Sequence, residues 1–415
     1  MRLPALALFL SSFLLAVGAV GRAQAQSIAP PAVNLEEREA VRVFHNTYYP
    51  QSSGVALGFT GNAATYKAGT ISTAFRTAAL LRANYYRRLA GLNAVTESAT
   101  FDTRAHEAAF LMWTGGDYLY FPPRWPSPAS SWDAYEGAYR SNKMPALATG
   151  WESGTDIDGF MQETGTDNLA ALHRHQLLFP PTQAMGYGAT PGTSALYVLE
   201  NDNDSPRALD ATEVEQAQAW PSRGFFPAKV PFSRWSWAWI SPTTPDYSAA
   251  SVTVLRDSQQ VAVTVVERSA RLVWDFPATE FGADRFPPTS DATYTVSIRG
   301  VKIDGVSRGF DYQVILFDPA QPSTGKAPVV VVTPASLKIN EGAPLQLEAE
   351  ASDGVLQWFK DGLILPKATQ STLNVTTAKA SDSGSYWVEV RNQAGLVRSD
   401  PVAVHVNPLG LTAPK

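Results

Sequence analysis

Between positions 73 and 92 the residues Phe75, Ala78, Ala79, Tyr85, Tyr86 and Leu89 recur at helical spacing, so TAFRTAALLRANYYRRLAGL reads as an amphipathic helix capped by Gly91. Asp102 then opens a second helix, with Ala105, Ala109 and Met112 along one side and Gly115-Gly116 at its end. Upstream, LEEREAVRVFHNTYY predicts a short helix in which Phe44, Tyr48 and Tyr49 surround His45, an environment for packing and not for ligation. A third helical stretch at 157–162 leads into residues 167–188, DNLAALHRHQLLFPPTQAMGYG, a short helix closed by Pro180-Pro181. At about 100° per residue, Leu169, Leu172, His173 and Gln176 share its inner face. Arg174, His175 and Leu178 point elsewhere, with His175 outward, and Met185-Gly186-Tyr187-Gly188 predicts a tight turn before an apolar strand at 195–199.

The period then changes. From 231 to 319 apolar residues alternate along short runs (SVTVLR, QVAVTVVE, RLVWDF, TYTVSIRGV, DYQVILFD) broken by Gly, Pro, Asp and Ser, which predicts an all-β sandwich. QPSTGKAP is a linker, and residues 329–406 repeat the β habit. In this last unit Trp358 falls where a sandwich core takes its tryptophan, and Asp382-Ser383-Gly384-Ser385-Tyr386 reads as a tyrosine corner. The unit resembles an immunoglobulin-like domain of the intermediate type. Ala349 and Val388 occupy the positions where such domains carry their two clamping cysteines.

Composition narrows the classes. The 415 residues are 45% hydrophobic and 17% charged, room for two or three cored domains. Arg2, the apolar run from 3 to 20 and Ala23-Gln24-Ala25 form a signal peptide cut after Ala25, so the chain is expected to be secreted or associated with the cell envelope. Cleavage removes Arg2 and Arg22 and no acid, making the formal charge of −5 more negative by two. An acidic chain without a basic stripe gives nucleic acid no footing, and no later apolar run spans a bilayer. With no cysteine, each domain must hold by burial and hydrogen bonds alone.

Several literal motifs lack the context that would give them a mechanism. Gly305-Val306-Ser307-Arg308-Gly309 spells a nucleophile elbow but sits in an Asp304-Gly305 hairpin, not at a strand-to-helix turn. His106-Glu107 begins a zinc-protease string, yet Phe110 stands where the second histidine belongs, so His106 packs or faces solvent. Glu200, Asp202 and Asp204 could reach a calcium ion but read as a solvated loop. Asn374-Val375-Thr376 is a glycosylation sequon, of consequence only in a host that makes such glycans.

Asn84 and Arg87 in RANYYRRLAGL, the alanine-rich FDTRAHEAAFLM, Ser141-Asn142 and LHRHQLLFPP together resemble, by order and spacing over residues 73–199, a bacterial member of the CAP superfamily, the SCP-like cysteine-rich secretory family. AWPSRGFFP and RWSWAW, from 219 to 239, resemble the segment C-terminal to that domain in many bacterial relatives, where a β-sandwich is appended. The resemblance implies an α-β-α sandwich head, hence a multidomain chain with an α/β N-terminal domain and two all-β sandwich domains. The expected divisions are a signal peptide at 1–25, an N-terminal extension at 26–65, the CAP-like domain at 66–225, a β-sandwich at 226–320, a linker at 321–328, the immunoglobulin-like domain at 329–407 and a tail at 408–415.

Family members carry two histidines and two glutamates in a shallow cleft that can hold a divalent metal. His173 matches one histidine, Phe121 falls on the second histidine position, Ser141 on one glutamate position, and Glu163 is a candidate for the other. One histidine and one carboxylate are too few for a zinc site, so neither a metal nor any other cofactor is expected. The expectation is a non-catalytic binding or adhesion protein whose ligand is an envelope or extracellular protein, glycan or lipid. Two alternatives stay open. One is a peptidase-like hydrolase using His173 with Glu163. The other is a lipid- or sterol-binding head whose groove is covered by the loop with Tyr118, Tyr120, Phe121, Trp125 and Trp132, a loop that otherwise packs a core.

Overall fold

Helix α1 (Arg38–Tyr48) lays Arg38, Val41, Phe44 and His45 on its buried face in the computed structural model. The structure describes residues 29–115, 146–149, 156–162, 169–198, 216–228, 230, 234–240, 243–277, 279–281 and 290–408. The expected signal peptide, the aromatic loop with Tyr118, Tyr120, Phe121, Trp125 and Trp132, and the residues Ser141, Asn142, Glu163, Glu200, Asp202 and Asp204 lie outside that set.

Helix α2 (Thr73–Leu89) begins where the Ser72 hydroxyl accepts the amide of Phe75 at 3.1 Å. It ends in a Schellman turn: Gly91, at φ 76°, lets its own amide reach Arg88 O (3.0 Å) and that of Leu92 reach Arg87 O (2.8 Å). Nearly every side chain from Ala78 to Leu89 is buried, so α2 is the central post of the head, and its polar residues Arg82, Asn84 and Arg87 must find partners inside.

After β1 (Thr96–Glu97), helix α3 (Ala99–Gly115) starts three residues before the expected Asp102. Ser98 does the capping, its hydroxyl accepting the Phe101 amide at 3.4 Å, and the Asp102 carboxylate instead accepts the Tyr187 amide at 2.9 Å. Strand β2 (Ala146–Thr149), helix α4 (Asp156–Gln162), helix α5 (Leu172–Leu177), β3 (Ala184–Ala189) and β4 (Thr193–Tyr197) complete the head, whose sheet runs β1-β3-β4-β2. The Met-Gly-Tyr-Gly segment is thus a strand and not the expected turn. Its alternation puts Met185 and Tyr187 into the core and leaves Gly186 and Gly188 facing α3, where a Cβ would come within 2.0 Å of Phe101 C and 2.1 Å of His106 Cα.

Two further sheets form the middle of the chain. One runs β10-β11-β7-β5, from β5 (Gln216–Trp220), β7 (Arg234–Ile240), β10 (Thr264–Glu267) and β11 (Leu272–Asp275). The other runs β6-β13-β12-β8-β9, from β6 (Gly224–Pro227), β8 (Ser251–Arg256), β9 (Gln259–Val261), β12 (Ala292–Ile303) and β13 (Val306–Phe317). Strands β5 and β6 begin before position 226, where the sequence places the head's end, yet both pair into these sheets. The β12–β13 hairpin turns at Asp304 (φ 52°) and Gly305 (φ 78°), the backbone an Asp-Gly turn supplies.

One apolar core runs from the head into this sandwich: the Trp220 ring lies 5.7 Å from Tyr86 of α2 and 4.9 Å from Phe226 of β6. Residues ahead of α1 act as a seam. Leu35 O accepts the Phe225 amide at 2.7 Å, and Glu36 O accepts the Leu396 amide of the last unit at 2.6 Å.

That last unit pairs β14 (Val330–Thr333), β16 (Leu345–Ala351) and β19 (Thr372–Val375) in one sheet, against β15 (Ser336–Asn340), β17 (Val355–Lys360), β18 (Leu363–Ile364), β20 (Gly384–Arg391), β21 (Leu396–Arg398) and β22 (Val402–Asn407) in the other. Trp358 is fully buried, its indole N–H donating to Gln370 O at 2.8 Å, and the Tyr386 hydroxyl donates to Asp382 O at 2.7 Å, a tyrosine corner. Ala349 and Val388 are buried apolar residues of this core.

Candidate functional site

Helix α5 carries the residues singled out by sequence, but it is turned differently from the expected amphipathic face. Leu169 and Leu172 are 39% and 51% exposed, while Arg174 and Leu177 are each 1% exposed. Polar demand sets this orientation. The Arg174 guanidinium donates to Met161 O (2.7 Å) at the end of α4 and to Arg234 O (2.9 Å) of β7, filling carbonyl valences that a helix end leaves open. A helix of six residues has too little apolar face to resist.

His173 is half-buried, its ring 5.6 Å from that of Phe160. His175 does not face out. It lines a small cavity with Gln218, Trp220 and Arg271, and burial, helped by the Arg271 charge, pushes its imidazole down to about 3. It is therefore neutral at ordinary pH, unable to serve as a proton donor there.

The N-x-x-R residues of α2 are structural ties. Asn84 donates to Val95 O (2.9 Å) and accepts from Val95 N (2.7 Å). Arg87, fully buried, donates to Asn93 O (2.8 Å), Leu177 O (2.8 Å), Phe179 O (3.0 Å) and Thr182 O (3.3 Å), clamping the end of α5 and the double-proline segment to the central helix. One turn earlier, Arg82 pairs with Asp158 of α4 and donates to Ser52 Oγ (2.7 Å) and Tyr49 O (3.0 Å). Tyr86 and Tyr49 donate to the same carboxylate at 2.6 and 3.0 Å. Burial raises the Asp158 carboxyl above its ordinary value even against Arg82 and both phenols, and pushes the Tyr49 phenol to about 12.

The two other histidines of the head are also occupied. His45 Nδ1 lies 2.6 Å from the Tyr85 hydroxyl, with the ring stacked on Tyr49. His106 is 8% exposed, its Nε2 is 2.9 Å from Ala68 O, and burial lowers its pKa. Beside it on α3, Asp102 lies near Glu97 and Arg76, with Arg76 Nε 3.4 Å from Glu97 and 3.8 Å from Asp102. Burial raises the Asp102 carboxyl to about 7, the Tyr187 amide opposing and the Glu97 carboxyl adding to the rise. Among the described residues no three His, Asp or Glu side chains gather into a group that could hold a metal ion.

The larger concavity lies elsewhere, where head, sandwich and last unit meet. A cleft of about 900 Å³ is lined by the seam residues Asn34 to Glu36, by Trp237, Trp239, Phe310 and Tyr312 of the sandwich, and by Asp361 and Leu363 of the last unit. A cavity of about 240 Å³ shares Glu36, Arg223, Asp311, Tyr312 and Gly362 with it and continues to Trp387 and Arg398. Asp311, paired with Arg299 at 2.7 Å, accepts the Ile364 amide at 2.7 Å and so fixes the last unit against β13. Local sequence patterns do not single out these residues: Ser307 and Arg308 read only as part of a hairpin, and RWSWAW only as a sandwich signature. The available signal is the spacing of Trp235, Trp237 and Trp239, which one face of β7 must share.

Residues 80–200 match the family model for CAP, the cysteine-rich secretory protein family. The match takes in α3, α5 and most of α2. Among curated proteins, the chain is 29% identical over 136 residues to the muscle M-line assembly protein unc-89 of Caenorhabditis elegans, covering 27% of this chain and 2% of that protein. It is 39% identical over 79 residues to the decoration protein of Escherichia phage T5 (18% of this chain, 48% of that one) and 30% identical over 111 residues to hemicentin-1 of Mus musculus (22% and 2%). The chain therefore spans less than half of each of these relatives. Among solved structures, the tandem Ig repeats of Dlar are 16% identical with a TM-score of 0.21, covering 43% of this chain and 89% of that one. Among the described residues no helix is long and apolar enough to cross a membrane.

Proposed function

We propose that the chain is a secreted, non-catalytic binding or adhesion protein that works at or beyond the cell envelope. Its CAP-like head and sandwich form one body on which the immunoglobulin-like unit is carried. The observation that carries this reading is how the charged residues of the head are spent. Arg82, Asp158, Arg87 and Arg174 are buried in bonds that hold helices together, and His173 rests on Phe160. A head so wired supplies shape and rigidity to a surface. A CAP match joined to the relatives above fits a binding or adhesion protein.

The test is retention of envelope or extracellular-matrix material by the immobilised full chain in the presence of EDTA. Retention that persists in EDTA and in His173→Ala supports the reading. No retained partner of any class, or a hydrolytic activity that His173→Ala abolishes with the fold intact, overturns it.

A further inference from the structure

The cleft between the three parts of the molecule has walls of two kinds. On one side Trp239 and Phe310 stand with ring centroids 4.7 Å apart, both partly open, with the Trp237 ring 6.2 Å behind Trp239. On the other are Glu36, Arg223, Arg308 and Asp361. Arg223 is paired with Glu36, and Asp361 lies 3.2 Å from Lys360. Arg308 is exposed and has no charged partner among the described residues. Behind the aromatic wall the indole N–H groups of Trp237 and Trp239 and the hydroxyl of Tyr312 are buried with no hydrogen-bond partner among the described residues. Sealed in this way, these groups offer nothing to an occupant, so polar contacts must come from the charged wall.

Each feature narrows the occupant. A polyanion needs an excess of cations, and here three carboxylates (Glu36, Asp311 and Asp361) stand against two guanidiniums (Arg223 and Arg308). An acyl chain needs a wall free of ions, and this one is half charged. A volume near the top of the ~300–1,000 Å³ range of small-ligand pockets exceeds what one small metabolite fills. What fits is a chain of flat-faced rings edged with hydroxyls, whose C–H faces lie on aromatic rings and whose hydroxyls both give and take hydrogen bonds.

Building on the binding-protein reading, we propose that this three-way cleft is a binding site for a neutral oligosaccharide, with Trp239 and Phe310 as the stacking wall and Arg308 as a polar contact. The cleft is distinct from the α5 region that matches the CAP family's histidine.

Cellohexaose, chitohexaose and maltoheptaose titrated into the full chain, followed by tryptophan fluorescence and calorimetry, test it beside heparin and phosphatidylglycerol vesicles. The expected result is saturable binding of at least one neutral oligosaccharide, weakened at least tenfold in Trp239→Ala and in Arg308→Ala, with heparin and vesicles giving no saturation. Arg308 is exposed, so its variant stays folded even if Trp239→Ala does not. Absence of saturable saccharide binding, binding unchanged in Arg308→Ala, or binding confined to heparin or vesicles overturns the proposal. If the EDTA-resistant retention of envelope material survives in that case, the saccharide site alone falls and the adhesion reading stands. Loss of both removes the two together.

Discussion

One guanidinium nitrogen of Arg82 lies 2.8 Å from each carboxylate oxygen of Asp158, joining the central helix of the head to the short helix that precedes α5. The arginine side chain is 1% exposed and the aspartate 13%. Removing either partner strands the other's charge where water cannot reach it. Asp158→Asn and Arg82→Met should each cost about 3–5 kcal/mol, whereas the double replacement of Arg82→Met with Asp158→Asn should cost less than the sum, because no lone charge remains. Urea unfolding of the full chain followed by near-UV circular dichroism checks this. Additive losses would mean that the pair carries no mutual energy.

The head also contains two groups whose titrations pull stability in opposite directions. Asp102 is raised from 3.8 to about 7 by burial, so between those values the folded chain holds a proton that the unfolded chain has released, and stability falls as pH rises. His175 is lowered from 6.5 to about 3 by burial, so in that interval the unfolded chain takes a proton the folded chain refuses, and stability falls as pH drops. Between about pH 4 and 6.5 the slopes oppose each other. Melting temperature across this window should therefore rise with pH in Asp102→Asn and fall with pH in His175→Phe. The same slope in both variants would refute the assignment.

Gly186 and Gly188 are tested by adding one methyl group. At Gly188 an added Cβ would sit 2.1 Å from His106 Cα, backbone that cannot swing aside, so Gly188→Ala must push α3 off the sheet and should cost about 1–3 kcal/mol or more. Gly91 is the control. Nothing lies within 4 Å of its added Cβ, and only its φ of 76° opposes alanine, a cost of about 1–2 kcal/mol. Gly91→Ala should keep the α3–β3 packing, read by the amide shifts of Ala105 and His106, while Gly188→Ala should move them.

How legible each element is in the sequence scales with the length of its pattern. Helix α2 and the strands of the last unit are readable because many apolar positions repeat in phase, and Trp358 and Tyr386 mark their own places in a sandwich. Helix α5 departs from its expected face because its six residues are oriented by Arg174 reaching carbonyls on α4 and β7, contacts that no local period encodes. The Met-Gly-Tyr-Gly strand departs from the expected turn for a related reason: glycine signals a turn or a close approach equally well, and only the position of α3 decides which. Beyond the tryptophan spacing of β7, the cleft is not legible in sequence because its walls come from residues 34–36, Trp237, Trp239, 307–312 and 361–363, brought together by the Leu35 and Glu36 seam.

Arg87 offers the sharpest separation between charge and geometry in the region that matches the CAP family. Its guanidinium serves four carbonyls, on Asn93, Leu177, Phe179 and Thr182, from fixed directions in one plane. A lysine keeps the charge and loses the fork, so it can reach only part of this set. Arg87→Lys should lower stability by about 1.5–3 kcal/mol, the range for bonds to a charged group, and should loosen the segment after α5 more than it loosens α2. Amide exchange checks both parts: Leu178 and Thr182, whose amides bond to Arg174 O (2.9 Å) and Phe179 O (3.3 Å), should lose protection ahead of Ala90, bonded to Tyr86 O at 2.9 Å. Uniform loss along the head would mean that Arg87 holds the helix itself. Loss confined to residues 178–182 would mean that this one guanidinium holds the double-proline segment in place, while the histidine-bearing helix α5 is held by Arg174 through Met161 O and Arg234 O.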